Sequence, residues 1–143
     1  RNLLFLSIAA NKAYSKDIPI IIMGVCQEDF GGYPDCRQDF INSMEKTISL
    51  SLEKKIEILT PVIDLKKSEI VKLAKSLGKL CWFSLAYTHT SYDGKYPPSS
   101  KDHANVLRSN AFEEAKLPDP LVLRAVSEKL MELPKTKNYE TKS

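Results

Sequence analysis

Apolar positions along the first half of the chain change period from element to element. Leu3, Leu4, Leu6, Ile8, Ala9 and Ala10 form a broad apolar face at helical spacing, which predicts a helix over residues 1–14. Ser15-Lys16-Asp17 reads as a turn, and Ile18 to Met23 is a near-continuous apolar run. Such runs mark strands buried on both faces of a parallel sheet. Pro19 is tolerated only at the start of the strand, because it has no N–H to donate. A polar loop follows, then a helix from about Arg37 to Ser51 with Phe40, Ile41, Met44, Ile48 and Leu52 in phase. Ile56 and Ile58 alternate with polar neighbours in a second strand over 54–59, and Gly78 stops a third helix over about 67–77. Helices alternating with strands predict an α/β fold with parallel pairing and right-handed crossovers.

Beyond Gly78 the pattern changes. Cys81 to Tyr87 is apolar and aromatic, a segment suited to a core or an interface, Thr88 to Gly94 is polar, and Lys95 to Ser100 is irregular. Ser100 or Asp102 is placed to cap a helix through Val106, Leu107, Ala111, Phe112 and Ala115. Leu117-Pro118-Asp119-Pro120 breaks it, and a last amphipathic helix carries Leu121, Leu123, Val126, Leu130 and Met131. The expected organisation is an α/β part over 1–78, a helical part over 79–133 and a frayed tail over 134–143.

Composition narrows the function classes. The 143 residues suffice for one domain with a core, and 43% hydrophobic with 27% charged residues is ordinary for a soluble globular protein. A net charge of +3 without a basic, aromatic-interleaved stripe gives no reason to expect nucleic acid. No segment is long enough to span a bilayer and none is patterned as a signal peptide. Three irregularly spaced cysteines, Cys26, Cys36 and Cys81, argue against a disulfide framework and for a reducing, cytoplasmic setting. The chain starts directly in an apolar helical pattern without Met, so it is expected to be part of a longer protein.

Candidate chemistry concentrates in the loop that leaves the first strand, Gly24-Val25-Cys26-Gln27-Glu28-Asp29-Phe30-Gly31-Gly32-Tyr33-Pro34-Asp35-Cys36-Arg37. Loops at the C-terminal ends of parallel strands meet helix N-termini, where ligands commonly bind. Glu28, Asp29 and Asp35 supply carboxylates, Arg37 a bidentate donor and Tyr33 a flat face with a hydroxyl. The competing structural reading pairs Arg37 with Asp35 or Asp39 and leaves Tyr33 as a cap on the sheet edge. Cys26 and Cys36 read first as packing residues, because ten residues apart is not a metal-ligand spacing.

This loop is similar to that of the 7-cyano-7-deazaguanine synthases, the QueC/ExsB family of the queuosine precursor pathway. The family pattern G-V-x-x-x-D-x-S-G-Y-P-D-C-R is met by Gly24, Val25, Asp29, Gly32, Tyr33, Pro34, Asp35, Cys36 and Arg37, with Gly31 where Ser is usual. Arg1-Asn2 with Phe5-Leu6 resembles the end of P-G-R-N-x-x-F-L, and Thr60-Pro61 with Lys67-Ser68-Glu69-Ile70 resembles T-P-L…K-x-E-I. Thr88 to Tyr92 resembles T-x-S/T-C-Y; Leu107-Arg108, Ala111-Phe112 and Asp119-Pro120 resemble the family's C-terminal helix.

The resemblance implies part of a three-layer, doubly wound parallel sheet of the adenine nucleotide alpha hydrolase type. It implies conversion of 7-carboxy-7-deazaguanine and ammonia to the nitrile with ATP and magnesium, through two adenylations and an amide. Asp29, Tyr33, Pro34, Asp35 and Arg37 are the substrate-binding candidates. Tyr33 would offer the aromatic face, either Asp29 or Asp35 would pair with the base N–H groups, and Arg37 or Lys67 would offset the carboxylate. Arg1 and Lys67 are the further charge partners for ATP or substrate. No residue is assigned as a catalytic nucleophile, since adenylyl transfer is mostly positioning and charge neutralisation.

Two departures from the family pattern stand out. The PP-loop S-G-G-x-D-S does not occur in these residues, so this chain alone is expected to be inactive. The four family zinc cysteines align with Ser91, Ser99, Asp102 and Asn105, none of which supplies thiolate, and zinc is not expected. His89, His103 and Asp102 are the weaker candidates for a replacement site. Three readings follow: part of a nitrile-forming ligase, a deazapurine-binding module without turnover, and a degenerate structural homologue. The expected partners are small molecules, with a homodimer as the one protein partner considered.

Overall fold

The computed structural model describes residues 1–26, 29, 32–98 and 102–139. The chain divides into two compact units, Arg1–Leu65 and Lys66–Ser143. The helix after residue 66, grouped by its sequence with the α/β part, therefore belongs to the second unit.

In the first unit α1 (Asn2–Ser15) leads through a turn to β1 (Ile20–Ile22), and α2 (Gln38–Ser51) leads to β2 (Glu57–Leu59). The strands pair in parallel, with Ile20 opposite Glu57, Ile21 opposite Ile58 and Ile22 opposite Leu59. Leu6 and Ala10 of α1, Ile41, Met44 and Ile48 of α2, and Ile56 and Ile58 form one buried cluster, with Ile21 packed against it. Side chains alternate along a strand, so the intervening residues face away from that cluster. Ile20, Ile22 and Leu59 are 42%, 68% and 39% exposed. Against the expectation of burial on both faces, the first strand is covered on one face in these residues: among the described residues two strands pair, and a helical layer covers one side.

The two edges of this sheet differ. Glu45 Oε2 on α2 accepts the Ile58 N–H at 2.7 Å. Ser49 Oγ accepts the Ile56 N–H at 3.0 Å and donates to its carbonyl at 3.1 Å. Side chains of α2 thus satisfy backbone groups along β2, which is how an edge strand is closed to further pairing.

The second unit is helical: α3 (Lys67–Ser76), α4 (Lys79–Ser84), α5 (His103–Ala115) and α6 (Pro120–Ser127). Val71, Trp82, Ala111, Phe112 and Ala115 form its core, with Trp82 and Phe112 edge to face at 6.1 Å between centroids. The last helix is shorter than its apolar pattern predicts. Lys129 has φ +59°, a left-handed conformation that ends the helix, and Leu130 is exposed. The tail expected to fray is docked as far as Tyr139, through a 3-10 turn over Lys137–Tyr139. Asn138 Nδ2 donates to the Leu117 carbonyl at 3.2 Å and the Tyr139 hydroxyl accepts the Asp119 N–H at 3.3 Å. Burial pushes the Tyr139 hydroxyl up to about 12.

Arg108 of α5 and Asp119 at the head of α6 are the polar centre of this unit. Nε and Nη2 of Arg108 donate to the two carboxylate oxygens of Asp119 at 2.6 and 2.9 Å. Nη1 reaches Thr88 Oγ1 at 2.7 Å and Thr90 Oγ1 at 3.1 Å, and Nη2 also reaches the Leu85 carbonyl at 3.1 Å. The side chains of Arg108 and Asp119 are only 12% and 4% exposed. Removing one partner of such a pair strands a buried charge. Arg108→Ala is expected to cost about 3–5 kcal/mol in denaturant unfolding, at the scale known for broken buried pairs.

Candidate functional site

The loop after β1 lies where a parallel strand hands over to a helix, and its ends are fixed by local geometry. Tyr33 is extended, Pro34 starts a 3-10 turn over Pro34–Cys36, and Arg37 is the extended N-cap residue of α2. Pro suits that first position, where its missing N–H is not needed. Val25, Cys36 and Ile63 are buried together with Met23 packed against them, which seats the loop on the first unit.

Asp35 reaches across 33 residues to the start of α1. Its Oδ2 accepts the Asn2 N–H at 2.8 Å and lies 3.2 Å from the amino group of Arg1. Asn2 returns two bonds from Nδ2, to the Asp35 carbonyl at 3.1 Å and to Cys36 Sγ at 3.3 Å. A helix start exposes N–H groups with no intrahelical partner, and a carboxylate there satisfies them and complements the dipole. The Asn2 N–H is the main reason the Asp35 carboxyl is held below the usual carboxylate range.

Asp29 is turned into the loop. Its Oδ2 accepts the Cys26 N–H at 3.1 Å and lies 3.2 Å from Cys26 Sγ. Its carbonyl accepts from Gly32 and Tyr33 at 3.3 and 3.0 Å. Both candidate acids are thus engaged in shaping the loop. The groups that face outward are Tyr33, 45% exposed, and Arg37 and Pro34, also exposed. The Arg1 guanidinium lies 5.9 Å from the centroid of the Tyr33 ring, a cation–π distance.

The structure therefore brings Arg1, Asp29, Tyr33, Pro34, Asp35 and Arg37 to one end of the first unit. Lys67 is the first residue of α3 in the second unit, half-buried. Asn2 and Cys26 were missed as site-building residues, although Asn2 sits in the R-N pair that the resemblance marks. Glu28 lies outside the described residues.

Cys36 is unsuited to nucleophilic chemistry. Burial pushes its thiol up, and the charges of Asp29 and Asp35 push it further in the same direction. Only a thiolate is an effective nucleophile. No cluster of three His, Cys, Asp or Glu side chains able to hold a metal occurs among the described residues. None of the helices in these residues is long and apolar enough to cross a membrane.

Residues 1–116 match the family model described as queuosine biosynthesis protein QueC. The chain belongs to the QueC family. It is similar to the 7-cyano-7-deazaguanine synthase of Chromobacterium violaceum, 41% identical over 128 residues that cover 90% of this chain and 54% of that protein. The synthase of Bacillus subtilis is 44% identical over 115 residues, 80% of this chain and 52% of the relative. That of Staphylococcus haemolyticus is 48% identical over 94 residues, 66% and 42% respectively. The chain thus spans about half the length of the curated QueC relatives it matches. Of the loop residues that carry the resemblance, Tyr33, Asp35 and Cys36 contact the start of α1.

Two outcomes follow from this geometry. A thiol reagent at neutral pH should label the half-buried Cys81 well before the buried Cys26 and Cys36 in the folded protein; mass spectrometry after partial labelling reads the order. A depressed folded value means that Asp35 holds α1 fully above the ordinary carboxylate range of about 4 and releases it as pH falls through the lower folded value. The Asn2 amide shift should therefore titrate below about pH 4 in acid NMR, and Asp35→Asn should abolish that step.

Proposed function

We propose that this chain supplies the substrate-facing loop of a 7-cyano-7-deazaguanine synthase, which converts 7-carboxy-7-deazaguanine and ammonia to the nitrile at the expense of ATP. The observation that carries this reading is the loop itself. Tyr33 and Arg37 face outward from a frame held by Asp29, Asp35 and Asn2, at the mouth of a parallel strand. A flat deazapurine carboxylate needs an aromatic face and a guanidinium, and these two residues supply both. Asp29 and Asp35 then act by holding the loop in shape, and either retains a role toward the N–H groups of the base. Arg1 steadies the Tyr33 ring.

The PP-loop sequence is not among these 143 residues, and the described residues offer no cluster for a metal beside a triphosphate. No ATP-dependent step is therefore assigned to side chains of this chain. The complete synthase is proposed to be a three-layer doubly wound sheet. That proposal is supported by the sheet face of Ile20, Ile22 and Leu59, which a second helical layer would cover, since parallel sheets are normally covered on both sides. With β2 closed by Glu45 and Ser49, further strands would join on the β1 side. The same lack of a PP-loop in these residues favours a second reading, a deazapurine-binding module without turnover.

Calorimetry with 7-carboxy-7-deazaguanine tests the loop. Arg37→Ala should weaken binding by about ten- to a hundredfold, the loss expected for a charged hydrogen bond of about 1.5–3 kcal/mol. Tyr33→Ala should weaken it by up to about tenfold, with the melting temperature unchanged in both. Binding that survives both changes places the site elsewhere. AMP release on co-expression with a PP-loop-bearing polypeptide of a relative would distinguish the synthase from the binding module.

A further inference from the structure

The four positions that align with the family's zinc cysteines depart from it together, and three of them lie among the described residues. Ser91 and Asn105 are buried, at 8% and 6% exposure, and Asp102 caps α5. One carboxylate joins the two segments. Oδ2 of Asp102 accepts from Ser91 Oγ and from the Tyr92 N–H, both at 3.0 Å, across ten or eleven residues of chain. Oδ1 accepts the Ala104 N–H in the first turn of α5 at 2.8 Å. Ser91 Oγ also makes a short contact with Asp93, whose Oδ1 accepts the Lys95 N–H at 3.0 Å.

This donor set does not fit zinc. A structural site requires four strong ligands, thiolate or imidazole in most cases. Among the three aligned positions described, only Asp102 is a carboxylate, both of its oxygens are directed at N–H or O–H donors, and serine and asparagine supply no anion. His89 and His103 are both exposed, and they form no metal-holding group with Asp102.

The segment from Thr88 to Tyr92 nevertheless needs fastening, because it is polar. Arg108 secures it at Thr88 and Thr90, two turns into α5. Asp102 secures it at Ser91 and Tyr92, at the start of the same helix. We propose that Asp102 is a metal-free replacement for a zinc cross-link, fastening residues 91–92 to the first turn of α5 so that the second unit folds without zinc. The fastening uses charge-assisted hydrogen bonds to a carboxylate that is already the N-cap, so a single side chain serves the helix and the loop. This inference depends on the positions of these residues and not on whether the loop after β1 binds a deazapurine.

The test uses the purified chain produced in zinc-supplemented medium. Elemental analysis should find substoichiometric zinc, and 1,10-phenanthroline should leave the melting curve in place. Stoichiometric zinc, or a melting temperature lowered by the chelator, overturns the proposal. Asp102→Ala should accelerate amide exchange at Tyr92 and Ala104 by about tenfold or more, the scale of a lost hydrogen bond to a charged group, while amides of α1 and α2 are unaffected. Unchanged exchange at Tyr92 overturns the proposal. If Asp102→Ala does not fold, Ser91→Ala serves instead, with exchange at Tyr92 faster than in the parent; parental exchange there overturns it. Finally, the combined change Ser91→Cys, Ser99→Cys, Asp102→Cys and Asn105→Cys should bind one zinc and become sensitive to the chelator. Failure to gain the metal would refute the equivalence of the two cross-links.

Discussion

A helix begins with backbone N–H groups that its own turns cannot satisfy. Carboxylates meet that need at four of the helices here. Asp35 serves α1 from the loop after β1, and Glu69 accepts the Lys66 N–H at the start of α3 at 2.8 Å. Asp102 serves α5 and Asp119 serves α6, each also bound to a second segment. Most of the tertiary polar contacts described above are extensions of these caps. The chain economises on ion pairs by placing each acid where one carboxylate can order a helix start and a loop together.

That arrangement links fold to site in the first unit. Asp35, at the end of the loop after β1, is tied to α1, and Asn2 answers by bonding the Asp35 carbonyl and the Cys36 sulfur. Asp29 fixes the other end on the Cys26 amide. With both acids held, Tyr33 and Arg37 are left at the surface on a short, braced turn.

Much of this was legible from local pattern. The alternation of helix and strand, the parallel pairing and the chemical load of the loop after β1 follow from spacing and residue type. The cap at Asp102 is local and was among the two expected. What was not legible is long-range. Asp35 reads as a ligand-binding acid in sequence, and only the folded chain brings it to a helix start 33 residues away. Asp119 reads as a helix breaker between two prolines, and its pairing with Arg108 depends on the packing of α5 against the turn before α6. The first strand is covered on one face only in these residues, for a related reason. An apolar run signals what a strand can bury, whereas the neighbours that would bury it are not encoded in the run.

Glu45 and Ser49 have an implication for assembly. They bond backbone groups of Ile56 and Ile58, on the flank of β2 that faces away from β1. A neighbouring strand would have to displace those side chains to pair there, so resistance to pairing along β2 is set on α2 and not on the strand itself.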